Sequence, residues 1–89
     1  MPYIQQSERV RFEKALEPLF ADIKEFGLTP GEMNFIITTI IKDWLDKGPK
    51  NYTSYNSMIG VLECAKQELY RRMIAPYEDM KKEDNGDVY

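Results

Sequence analysis

The chain has 89 residues, 43% of them hydrophobic, with 15 acidic and 12 basic side chains, one cysteine and no histidine. That is the size of one domain, with enough apolar content for a core but little burial available within a single copy. The net charge of −3 opposes charge-driven binding of duplex nucleic acid, and one thiol without histidine excludes both a disulfide framework and the usual zinc ligand sets. No run approaches the ~18 apolar residues of a membrane span, and no basic stretch followed by an apolar run opens the chain. A cytoplasmic protein with no membrane contact and no cofactor is expected.

Residues 1–6 are expected to form an arm, extended at Pro2, with Tyr3 and Ile4 giving it something to bury. Ser7 is the expected N-cap of a first helix over 7–26, with Glu8 complementing the positive helix end. Phe12, Leu16, Leu19, Phe20, Ile23 and Phe26 recur at helical spacing on one narrow face. Gly27 suits a left-handed cap. Pro18 cannot donate to the carbonyl of Lys14, yet the stripe keeps phase across it. A single bent helix with the proline on its outer side is expected, and two short helices meeting at Glu17 are the alternative.

Thr29-Pro30-Gly31-Glu32 reads as a capping box with proline at the first helical position. It opens a second helix over 30–47, whose apolar face carries Met33, Ile36, Ile37, Ile40, Ile41, Trp44 and Leu45 and which ends before Gly48-Pro49. The isoleucines raise a strand alternative, but the cap, the length and the i, i+3, i+4 spacing favour a helix. Phe35 falls off the buried arc and is expected to be exposed or covered by a partner.

Residues 48–56 read as a loop carrying Tyr52 and Tyr55, followed by a third and longest helix over 55–80. At about 100° per residue, Met58, Leu62, Ala65, Leu69, Met73 and Met80 form one seam, and Ile59, Tyr70, Ile74 and Tyr77 a second stripe beside it. The arc spans about half the circumference, against the ~100° face of an ordinary surface helix. Pro76 is expected to kink or restart this helix near Ala75. Residues 81–89 read as a charged tail with an Asn-Gly turn signal and an apolar end.

Several blocks resemble a family of small uncharacterised proteins of bacteriophages, prophages and bacteria. They are the opening Met1-Pro2-Tyr3-Ile4, the helix start Pro30-Gly31-Glu32-Met33-Asn34, and the run from Ile59 to Lys66. Tyr70-Arg71-Arg72, Ala75-Pro76-Tyr77-Glu78 and Asn85-Gly86-Asp87-Val88-Tyr89 complete the set. The resemblance implies a phage or bacterial setting and carries no established activity. A weaker similarity joins Arg72-Met73-Ile74-Ala75-Pro76-Tyr77-Glu78 to small helical phage proteins that sequester cyclic nucleotide signals of bacterial immunity.

The strongest constellation is Tyr70, Arg71, Arg72 and Tyr77, with Lys66, Tyr52 and Tyr55 as further members, in an otherwise acidic chain. Aromatic faces stack on bases and guanidinium forks grip phosphate. The competing reading is structural, with Glu68 and Arg72 as a helical i, i+4 pair and Asp79 two turns from Arg72. The second constellation is the wide arc, which points to an oligomer interface through Ile59, Leu62, Leu69, Met73 and Ile74. The competing reading is a monomer in which the first two helices cover it.

Asp79, Glu83, Asp84 and Asp87 lack the order and closing glutamate of a calcium loop and read as a solvated tail. Cys64, without a histidine partner, reads as a small packing residue. Gly60 costs ~1 kcal/mol in a helix interior and would admit close approach of a helix or ligand. Asp87-Val88-Tyr89 reads as a loose terminus, with docking as an extended segment the alternative.

The sequence thus reads as an all-α three-helix bundle with a long, proline-kinked C-terminal helix, forming a homo-oligomer. The expected function is non-catalytic binding of a host protein. The alternative is a sponge for a small anionic ligand such as a cyclic nucleotide. An enzyme ranks third, since no histidine, metal cluster or phosphate loop is present.

Overall fold

The computed structural model describes residues 3–89. The described residues are all-α: α1 (Gln6–Phe26), α2 (Pro30–Asp46), and a third helix made of α3 (Tyr52–Leu69), a π-helical turn (Tyr70–Ile74) and α4 (Ala75–Asn85). No strand occurs among them, so the isoleucine run of α2 is helical, as its spacing predicts. The extended start expected at Pro2 lies outside the described residues.

The helix ends show where local chemistry suffices and where it misleads. Ser7 is not the cap of α1. The helix starts one residue earlier, behind Gln5, whose side chain makes no capping bond. Arg9 Nε instead donates to the carbonyl of Ile4 at 2.9 Å and ties down the entering chain. Pro18 lies inside one uninterrupted α1, so the two-helix alternative falls. Gly27 has φ 79° and ψ −178°. The positive φ is the expected one, but the extended ψ sends the chain straight on instead of into a left-handed turn, and only glycine accepts that combination cheaply.

The capping box of α2 is fully formed. The backbone N–H of Thr29 donates to Glu32 Oε1 at 2.8 Å, and the backbone N–H of Glu32 donates to Thr29 Oγ1 at 3.2 Å. The Thr29 backbone bond, and then its hydroxyl, hold the Glu32 carboxyl below its ordinary pKa. α2 stops at Asp46 with Lys47 as its cap, one residue short of the expected end. The third helix starts at Tyr52, three residues before the expected 55. The missed signal is Asn51, whose Oδ1 accepts the Ser54 backbone N–H at 2.9 Å, a standard N-cap bond. It leaves Ser54 buried at the helix start.

The charged stretch read as a tail from residue 81 is largely helix. α4 runs on to Asn85, and the Asn-Gly signal marks its end: Gly86 has φ 91° and its N–H donates to the carbonyl of Lys82. Cys64 is exposed and is not a packing residue.

The described chain divides into two compact units, Tyr3–Tyr55 and Asn56–Tyr89. In the first, Leu19, Ile23, Leu28 and Ile36 are half-buried and line the corner where α1 meets α2. Phe26 and Phe35 stay exposed at that corner, as expected for Phe35. Among its described residues the second unit is one helix with a short non-helical end, so none of them covers its apolar stripe. No hydrophobic residue among those described is buried.

Candidate functional site

Tyr70, Arg71 and Arg72 open a π-helical turn, the one departure from α geometry in the third helix. The backbone N–H of Ala75 donates to the carbonyl of Tyr70, five residues back, which is the π bond. Its cause stands one residue further on. Pro76 has no N–H, and in a regular helix its ring would press on the carbonyl of Arg72. A wide turn takes in one extra residue and moves that carbonyl away. The proline therefore acts through a π turn, after which the helix restarts at Ala75.

The extra residue changes which side chains share a face. Eight residues of α-helix turn through about 800°, leaving Tyr70 and Glu78 about 80° apart. With one residue absorbed they behave as seven apart, and the offset falls to about 20°. The observed contact agrees: Tyr70 Oη donates to Glu78 Oε2 at 3.0 Å. This bond, then the charge of Glu78, raises the pKa of the Tyr70 phenol.

The same rotation corrects the seam. Beyond the turn every position moves by about 100°, so Tyr77 joins the line of Met58, Leu62 and Leu69. Met80 leaves that line for the flank. Lys81 Nζ lies 5.6 Å from the centre of the Tyr77 ring, within range of a weak exposed cation–π contact.

Both arginines converge on one carboxylate. Arg71 Nη2 lies 3.0 Å from each oxygen of Glu68, and Arg72 Nε lies 3.2 Å from Glu68 Oε1. The pairing of Glu68 with Arg72 is thus present, and Arg71 joins it. Two guanidinium groups 100° apart in sequence phase can serve one oxyanion here, and in this structure it is the chain's own glutamate. Of the four residues picked from the sequence, Tyr70, Arg71 and Arg72 lie in the π turn and are engaged by local carboxylates, and Tyr77 lies beyond it on α4, under Lys81.

Concave surface that the sequence did not reveal lies on α2, the loop after it and the first turn of α3. A groove of about 420 Å³ is lined by Thr38, Ile41, Leu45 and Tyr55, with Lys42, Asp46 and Lys50 on its rim. Lys42 Nζ lies 2.6 Å from Asp46 Oδ2 and Lys50 Nζ lies 3.5 Å from Asp46 Oδ1. The Lys42 bond lowers the Asp46 pKa, and the bond to Asp46 raises that of Lys42. The i, i+4 spacing of 42, 46 and 50 was a legible signal for this ladder. Nothing in the sequence linked it to Tyr55. Among the described residues no group of three or more Cys, Asp or Glu side chains is placed to hold a metal ion, and no helix is long and apolar enough to cross a membrane.

Residues 1–88 match the model of a family described as a domain of unknown function, DUF6899. The chain belongs to that family. No curated protein and no solved structure matches it.

Proposed function

We propose that this chain is a non-catalytic, self-associating helical binding protein, an accessory protein of a phage or bacterium that acts by holding a host partner. The reading rests on one observation. Ile59, Leu62, Leu69 and Met73 keep 65, 39, 55 and 67% of their surface exposed, on a helix with no second helix in its own unit. Ile74, half-buried, flanks them.

The magnitudes set the strength of such a contact. A side chain of this size gains about 1.5–3 kcal/mol on full burial. Covering the exposed half of eight such side chains across two copies gives on the order of 6–12 kcal/mol. Association itself costs ~4–15 kcal/mol. These four residues alone roughly break even, so Met58 and Tyr77 on the seam and Ile74 on the second stripe decide the affinity, and a micromolar assembly is expected. Sedimentation across the micromolar range should give at least twice the monomer mass, and Leu69→Asp or Met73→Asp should abolish the assembly. A clean monomer at every concentration refutes the reading.

A second reading is favoured by the convergence of Arg71 and Arg72 on one oxyanion. In it the chain is a sponge for a small anionic ligand such as a cyclic nucleotide, with Tyr70 and Tyr77 stacking beside the phosphates. The ligand must then displace Glu68 from both arginines. Calorimetry with cyclic di- and trinucleotides tests it: binding lost in Arg71→Ala and Arg72→Ala supports the sponge, and no binding by the wild type removes it.

A further inference from the structure

The groove on α2 and the end of the chain are complementary in charge and in polarity. On the groove side, Lys42 and Lys50 share the single carboxylate of Asp46. Their neighbours Asp43 and Lys47 pair with each other at 2.7 Å. One positive charge is left over, above an apolar floor of Ile41, Leu45 and Tyr55. One more carboxylate would complete two pairs.

The end of the chain offers that group. Glu83 and Asp84 close α4, and beyond Gly86 the residues Asp87, Val88 and Tyr89 are non-helical. The Tyr89 backbone N–H donates to Asp87 Oδ1 at 2.9 Å, which holds the segment in a local turn. Val88 and Tyr89 are fully exposed, an apolar pair with acids immediately before it and no cover from its own chain.

We propose that the segment Glu83–Tyr89 of one copy docks in the Ile41–Leu45–Tyr55 groove of a second copy. Val88 and Tyr89 lie on the apolar floor, and an acidic side chain of the segment sits between Lys42 and Lys50. Exchange in both directions closes a twofold dimer with two identical contacts. The recognition uses no residue of the Leu69–Met73 seam and stands apart from it.

The test is a charge exchange in the full-length chain, read by sedimentation equilibrium. One variant carries Lys42→Glu and Lys50→Glu; the other carries Glu83→Lys, Asp84→Lys and Asp87→Lys. All five side chains are exposed, and circular dichroism checks that helicity is kept. Each variant alone should associate at least tenfold more weakly than wild type, and their equimolar mixture should recover wild-type affinity, because both contacts in the mixed dimer are again complementary. Val88→Ser with Tyr89→Ser should weaken association without rescue by mixing.

If the charge variants associate like wild type, or the mixture is no tighter than its components, the docking is overturned. Leu69→Asp separates this result from the seam. Loss of mass there with inert charge variants leaves the seam and removes the docking. Rescue on mixing, with Leu69→Asp still associating, leaves the docking and removes the seam. A wild type that is monomeric throughout removes both.

Discussion

Two helices of this chain carry a proline in their interior, and they respond differently. Around Pro18 the chain stays α-helical from Gln6 to Phe26, whereas Pro76 follows a π turn over Tyr70–Ile74. The steric demand is the same at both sites. What differs is the set of side chains able to hold a wide turn. Arg71 and Arg72 on Glu68 tie down its beginning, and Tyr70 reaches across it to Glu78. No side-chain hydrogen bond among the described residues spans Pro18. A proline states that one backbone bond is missing; its neighbours decide how the helix absorbs the loss.

Substitution separates the two sites, and the largest effect is expected at the first. Pro18→Ala restores a backbone donor in a regular α-helix and removes the ring, and should stabilise the protein by about 3 kcal/mol, measured by urea unfolding. No gain there would mean that α1 had already adapted to the ring. Pro76→Ala should gain less, since the π turn has already removed the clash. It should also let the helix return to α geometry and turn Tyr70 away from Glu78.

That rotation has a titration signature. A phenol whose folded pKa is raised adds stability that is complete below its ordinary value, about 10, and lost as pH climbs through the raised one. The ultraviolet titration of wild type minus Tyr70→Phe should therefore show one tyrosine ionising above the ordinary range. In Pro76→Ala and in Glu78→Gln that tyrosine should return to the ordinary value. A high Tyr70 pKa persisting in Pro76→Ala would show that the proline does not cause the turn.

The smallest effect belongs to the arginines. Glu68→Ala removes two exposed pairs worth about 0.3–0.5 kcal/mol each, a loss near the limit of denaturant measurements. Its informative readout is amide exchange at Ala75, whose bond to Tyr70 should open more often if Glu68 helps to hold the turn.

Local order in this chain was legible because its causes lie within three or four residues. Thr29 and Glu32 carry the complete start of α2, and the spacing from Met33 to Leu45 names it a helix despite four isoleucines. Asn51 was the same kind of signal, obscured because Gly48-Pro49 and the polar residues after it made the segment look like a loop. Asn85-Gly86 was recognised as a turn signal, but the place of Gly86 as the cap of α4 was not, since the charged run before it looked like a solvated tail. Of the candidate residues, Tyr70, Arg71 and Arg72 lie in the π turn, and Tyr77 lies three residues beyond it on α4.

What the sequence by itself determined is the all-α class, the three helices and the apolar stripes as far as the π turn, because these follow from residue spacing on a fixed screw. What only the tertiary structure decided is phase and satisfaction. The π turn brings Tyr70 within a hydrogen bond of Glu78, eight residues on, and it moves Tyr77 onto the seam and Met80 off it. The arginines' partner depends on which oxyanion lies within reach. Helical periodicity assigns a face to each residue only while the screw is unbroken, and at Pro76 one extra residue breaks it.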